Sequence, residues 1–215
     1  MHGLVLTTHV FASGSLQVAT HRATTSFPWY VVRAAGFVAA GLLILLMLSG
    51  IGQVTGLTYR FIEPVKAWAL HKAMAIALCV SIAIHVGFLL LDHYLPFSLG
   101  QVLVPLNSSY SNGTKMLGIP LGGLAVAFGI LAMYGVAIIV ASSLGWINTR
   151  RARWHKLHYL SYLVMFLVIL HGLYAGTDLK YGTFREVWIG LAAIVVLGII
   201  SRLLRAGATA PRNDK

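Results

Sequence analysis

From Ala34 to Ile51 the chain carries no charged residue. That length approaches the roughly 20 apolar residues a helix needs to cross a bilayer, and a helix satisfies its own backbone polar groups, as lipid demands. Four further stretches follow. The spans read as about Trp29 to Ile51, from the loop at Pro64 to about Leu91, Ile119 to Leu144, His155 to Ala175, and Val187 to Leu204. Trp29 and Tyr30 stand at the head of the first as interfacial anchors. The fifth has only 15 uncharged residues between Glu186 and Arg202, and it spans if Arg202 and Arg205 snorkel to the headgroups. The sequence between the second and third spans is rich in Ser, Asn, Gly and Pro, which predicts a surface loop with a short interfacial helix. The fold class expected is all-α, a multi-pass transmembrane bundle of about five spans.

Composition settles how the charge should be read. With 58% hydrophobic and 10% charged residues, the net charge of +11 belongs to loops between apolar runs rather than to a nucleic-acid surface. Eleven of the Lys and Arg residues fall in the first-to-second loop region, the third-to-fourth loop and the C-terminal region, against five on the opposite side. The positive-inside rule makes those three segments cytoplasmic and the N-terminus external. Residues 1–28 are mildly apolar and hold His2, His9 and His21 in irregular spacing, which reads as a non-cytoplasmic segment with solvated histidines. No basic n-region precedes a strong apolar core, so a cleaved signal peptide is not expected, while a degenerate sixth span there stays open. Residues 206–215 read as a cytoplasmic polar tail.

The remaining histidines are placed unevenly. The second span holds His71 and His85, the fourth holds His158 and His171, and the other three hold none. A 14-residue spacing turns about 1400° at 100° per residue, so His71 and His85 share a helix face within about 40°, about 21 Å apart along it. The second and fourth spans cross in the same direction, which sets His71 level with His158 and His85 level with His171. Two facing imidazoles can fill both axial positions of a haem iron, and two levels make two haems in series, closed to substrate and suited to electron transfer. The lone Cys79 allows no CxxCH attachment, so any haem is held without a covalent link. One spacing resists. Thirteen residues leave His171 about 140° from His158 on a regular helix, which calls for a kink, a π-bulge or offset haems, and His155 fits no better. Arg33 lies one turn inside the first span, either snorkelling or paired with a haem propionate. The glycines of the third span, among them Gly129 and Gly135, permit close packing of helices or rings.

On these residues the chain resembles the ferric reductase-like transmembrane domain, shared with the membrane part of NADPH oxidases and with the haem subunit of bacterial methionine sulfoxide reductase systems. The resemblance runs from about Trp29 to Arg205. It rests on PWYVVRAAGF at 28–37, LHK and AIHVGFLLLD around His71 and His85, FSLGQVLVPLNSSY at 97–110, and KLHYLSY and LHGLYAGTD around His158 and His171.

The resemblance implies one domain over 29–205 with two stacked haem b groups, His71 and His158 ligating the inner iron and His85 and His171 the outer. It prefers His158 to His155, puts Arg33 near the outer haem, and makes Asp178 an outer-surface contact. Electrons would move outward. Members that reduce iron or oxygen directly carry a cytoplasmic flavin and nicotinamide domain, and this sequence has no flavin site. The expected partners are therefore a separate flavoprotein or quinol donor on the cytoplasmic face, an external acceptor or redox protein, and a larger membrane complex. The expected location is a bacterial cytoplasmic membrane. A structural subunit in which haem is absent or only structural is the alternative, and a histidine relay for protons or metal ions is a weaker third.

Overall fold

The computed structural model describes the backbone of residues 2–93, 95–111, 113, 115–116 and 119–208, and the side chains of residues 26–93, 95–111, 113 and 121–205. Among the described residues, five helices are long and apolar enough to cross a membrane: Ser26–Val54, Pro64–Leu91, Leu121–Trp146, Arg151–Ala175 and Thr183–Arg205. All five expected spans are present, and the chain is an integral membrane protein.

Helix α1 (His2–Val54) contains the first span and begins far upstream of Trp29, passing through Pro28. The backbone of the N-terminal segment is thus helical and continuous with the span, although the side chains of His2, His9 and His21 lie outside those described. A 3₁₀ turn at Thr58–Arg60 leads to α2 (Pro64–Leu91), where proline takes the first helical turn, in which no intrahelical N–H is required. Next comes α3 (Leu99–Leu103), the short interfacial helix, opened by a capping box in which Ser98 and Gln101 bond each other's backbone N–H. A two-residue ladder, β1 (Lys115–Met116) with β2 (Ile119–Pro120), precedes α4 (Leu121–Trp146). The fourth span is made of two pieces, α5 (Arg151–His158) and α6 (Leu160–Ala175). The last is α7 (Thr183–Ala208), which starts a turn earlier than the sequence suggested, so that Arg185 and Glu186 belong to the helix.

Packing is pairwise. α1 lies along α2 and α4 along α6, with α7 against α1 and α6. A shared core of Leu43, Met47, Leu78, Val136, Val164, Met165 and Val195 closes the centre. The outward faces stay apolar, as at Ile76 and Val80 on α2 and Ile194 and Leu197 on α7, which is how a surface turned to lipid is built. Close approach uses missing side chains. A Cβ at Gly135 would strike Val164 Cγ2 on α6, while Trp188 of α7 lies where a Cβ on Gly172 would come within 2.7 Å of its ring. Gly122 and Gly123 instead admit the backbone of the 108–111 loop, so the small residues of α4 serve several neighbours.

Gly135→Leu should overpack the α4–α6 contact and cost about 1–3 kcal/mol. A lowered thermal midpoint in detergent would register it, whereas an unchanged midpoint would mean the two helices can separate freely at this level.

Candidate functional site

The break in the fourth span falls directly after His158. At Tyr159 the N–H keeps the α-type bond to His155 O at 3.3 Å, while the carbonyl accepts from Tyr162 N at 3.1 Å, an i to i+3 contact. Tighter winding of this type turns about 120° per residue rather than 100°. One residue wound in this way adds only about 20° of turn, a small part of the roughly 140° offset, and it is none of the three devices the sequence suggested.

The histidines nonetheless pair by level. The ring centroids of His71 and His158 are 6.4 Å apart, and those of His85 and His171 are likewise 6.4 Å apart. Imidazole–metal bonds of about 2.0 Å on either side of one ion, with each ring centre about 1.1 Å beyond its nitrogen, put two centroids about 6.2 Å apart. Both separations match two imidazoles on opposite sides of a single ion. His155 does not join a pair, and stacks instead on Trp154 and Tyr159. Among the described residues no three His, Cys, Asp or Glu side chains converge. Two-histidine sites suit a group that brings its own in-plane ligands.

The second nitrogen of each ring decides which one is left for a ligand. His85 Nδ1 lies 2.8 Å from Val32 O, and His171 Nδ1 lies 2.8 Å from Ala125 O. A carbonyl can only accept, so in both rings Nδ1 carries the hydrogen and Nε2 keeps its lone pair. Glycine makes these contacts possible. The residue one turn beyond each carbonyl is Gly36 or Gly129, and a Cβ there would sit 3.1 Å from His85 Nδ1 or 2.6 Å from His171 Nδ1. At the other level Ser49 Oγ lies 2.8 Å from His71 Nδ1, and Gly50 faces the same ring. His158 differs: its Nδ1 is buried and has no hydrogen-bond partner among the described residues. The sequence held a signal for the glycines. Gly36 and Gly50 repeat the 14-residue spacing of His71 and His85 on the neighbouring helix.

His85 and His171 line a cavity of about 240 Å³ that continues past Gly36 and Gly129 to Trp29, Arg33, Tyr110 and Asp178. Arg33 has a protein partner that the sequence did not offer. Its guanidinium forms a two-pronged ion pair with the Asp178 carboxylate, Nε to Oδ2 at 2.7 Å and Nη2 to Oδ1, beneath the Trp29 ring. A pair 145 residues apart leaves no local mark in a sequence. Tyr110 donates to Ala175 O, and burial pushes its phenol above the usual value, so it stays a donor at any physiological pH. At the opposite end Arg202 lies over Tyr159 and Tyr162, close to His158.

Since Arg33 and Asp178 are only partly exposed and bonded twice, their coupling in a double-mutant cycle of Arg33→Met and Asp178→Asn should be about 1–3 kcal/mol. Thermal unfolding of the four variants in detergent measures it, and additive effects would place the pair with ordinary surface ion pairs.

A family model described as the ferric reductase like transmembrane component matches residues 35–169. The match includes His71, His85 and His158, and it stops two residues short of His171. No curated protein and no solved structure gives a match. Transmembrane domains of this family typically bind haem and mark membrane electron-transfer components that work with a redox donor or acceptor. The chain belongs to the ferric reductase-like transmembrane component family.

Proposed function

We propose that this protein carries electrons across its membrane through two haem b groups, one between His71 and His158 and one between His85 and His171. The observation that carries the reading is the pair of equal histidine separations together with the carbonyls that fix Nδ1–H in His85 and His171. Rings held in this way present Nε2 lone pairs to a metal and gain basicity from the bonded Nδ1–H. Bound haem supplies one-electron exchange between ferric and ferrous iron. The chain's own residues do the rest. The four imidazoles would hold the two groups, two rings to each, and would keep substrate from the metal. Gly36, Gly50 and Gly129 leave room beside the rings, and apolar neighbours such as Leu43, Leu78 and Val136 keep water out. Arg33 is the cation available to a haem carboxylate at the His85–His171 level, sharing its charge with Asp178.

The His71–His158 end is the basic one and faces the cytoplasm in this reading, with the N-terminal segment outside and the membrane that of a bacterium. Electrons enter there from a flavoprotein or quinol and leave at the His85–His171 end to an external acceptor or redox protein, within a larger complex.

Liposomes holding the protein and an entrapped ferricyanide-type oxidant should bleach when a membrane-impermeant reductant is added outside. His71→Ala and His85→Ala should each abolish the flux and lower the haem content from two to one. Flux and haem content unchanged in both variants would favour a structural subunit instead.

A further inference from the structure

The α1–α2 and α4–α5–α6 hairpins are built to one plan. In each, an uninterrupted helix with small residues lies antiparallel to a helix carrying two histidines. Gly36 faces His85, Gly50 faces His71 and Gly129 faces His171. The polar partner of each ring comes from the same helix as the glycine: Val32 O, Ser49 Oγ and Ala125 O. His158 alone breaks the pattern, because its buried Nδ1 has no partner among the described residues.

The register of α4 against α6 identifies what lies across from it. Gly129 is opposite His171 and Gly135 is opposite Val164, six residues on along one helix against seven back on the other. Thirteen residues on from Gly129 is Ser142, and thirteen back from His171 is His158. Ser142 is 6% exposed, and its hydroxyl donates to Ile139 O at 3.0 Å, which leaves its own acceptor lone pairs unused. Ser143 is already committed. It donates to Ile139 O at 2.7 Å and accepts from Trp154 Nε1 at 3.0 Å, and the Trp154 ring lies 5.2 Å from that of His158. Two hydroxyls also fill the Ile139 carbonyl, so the bond made by Val32 O and Ala125 O at the other level has no counterpart here.

We propose that Ser142 is the positioning residue of His158: a turn of its side chain carries Oγ from Ile139 O, where it lies in this structure, to accept the Nδ1 hydrogen, the role Ser49 Oγ would have for a ligating His71. One level is then held by two serine hydroxyls and the other by two backbone carbonyls. This inference rests on the reading of the histidines as haem ligands.

The test is a potentiometric titration of the full-length haem-loaded protein in detergent, followed at the α-band, with low-temperature EPR of the ferric form. Wild-type protein should titrate as two components. Removing an acceptor from Nδ1–H weakens the imidazole as a donor and favours ferrous iron, so Ser142→Ala should move one component upward and alter one low-spin EPR signal. Ser49→Ala should move the same component, and Ser142→Thr, which keeps the hydroxyl, should restore the wild-type titration. Loss of one haem in Ser142→Ala but not in Ser142→Thr would also support the proposal. A wild-type titration for Ser142→Ala, a shift in the component that Ser49→Ala leaves alone, or equal damage from Ala and Thr would overturn it. A wild-type chain that binds no haem would overturn the ligand reading and this proposal with it.

Discussion

An imidazole inside a bilayer can offer one nitrogen to a metal only if the other hydrogen is taken up, since an unpaired N–H in hydrocarbon costs several kcal/mol, about what any buried polar group costs there. Much of this bundle follows from that constraint. Val32 O and Ala125 O lie within helices, where each carbonyl has a second lone pair free for the ring of His85 or His171. The ring reaches that lone pair only where the next turn has no side chain, at Gly36 and Gly129. Glycine inside a helix costs about 1 kcal/mol relative to alanine, a penalty that close helix contact in lipid offsets. Two intimate hairpins result, and they bring the histidines to equal separations.

The two halves are not copies in every detail. The first hairpin keeps its histidines on one regular helix, whereas the second interrupts the helix at Tyr159, immediately after His158. Around that break the side chains are large and polar-tipped: Trp154 bonds Ser143, and Arg202 covers Tyr159 and Tyr162.

The spans were legible because lipid imposes a crude rule: charge-free runs near the required length stand out from any soluble pattern, and all five are present. The histidine levels followed from helix rise and from the second and fourth spans crossing in the same direction, and even the difficulty at His158 was visible as an angle that did not close. The long helical extension before Trp29 was not read, since a mildly apolar segment with scattered histidines has no strong period. Nor was the bond from Arg33 to Asp178, which joins α1 to the turn after α6 and depends on tertiary placement alone. The partners of the rings were missed for a different reason. Backbone carbonyls carry no letter in a sequence, and only the matched spacing of Gly36 and Gly50 to the histidines hinted that a second helix had been shaped around them.

The central claim is that each histidine pair holds a haem iron on both sides. The most direct measurement is the dithionite-reduced minus oxidised spectrum of the freshly purified protein, with haem counted as its pyridine haemochrome. Two noncovalent haems per chain, on the order of the two ligand pairs, with a sharp low-spin b-type α-band are the expected result. A folded protein without haem, or with a high-spin spectrum showing an open axial position, would contradict the account.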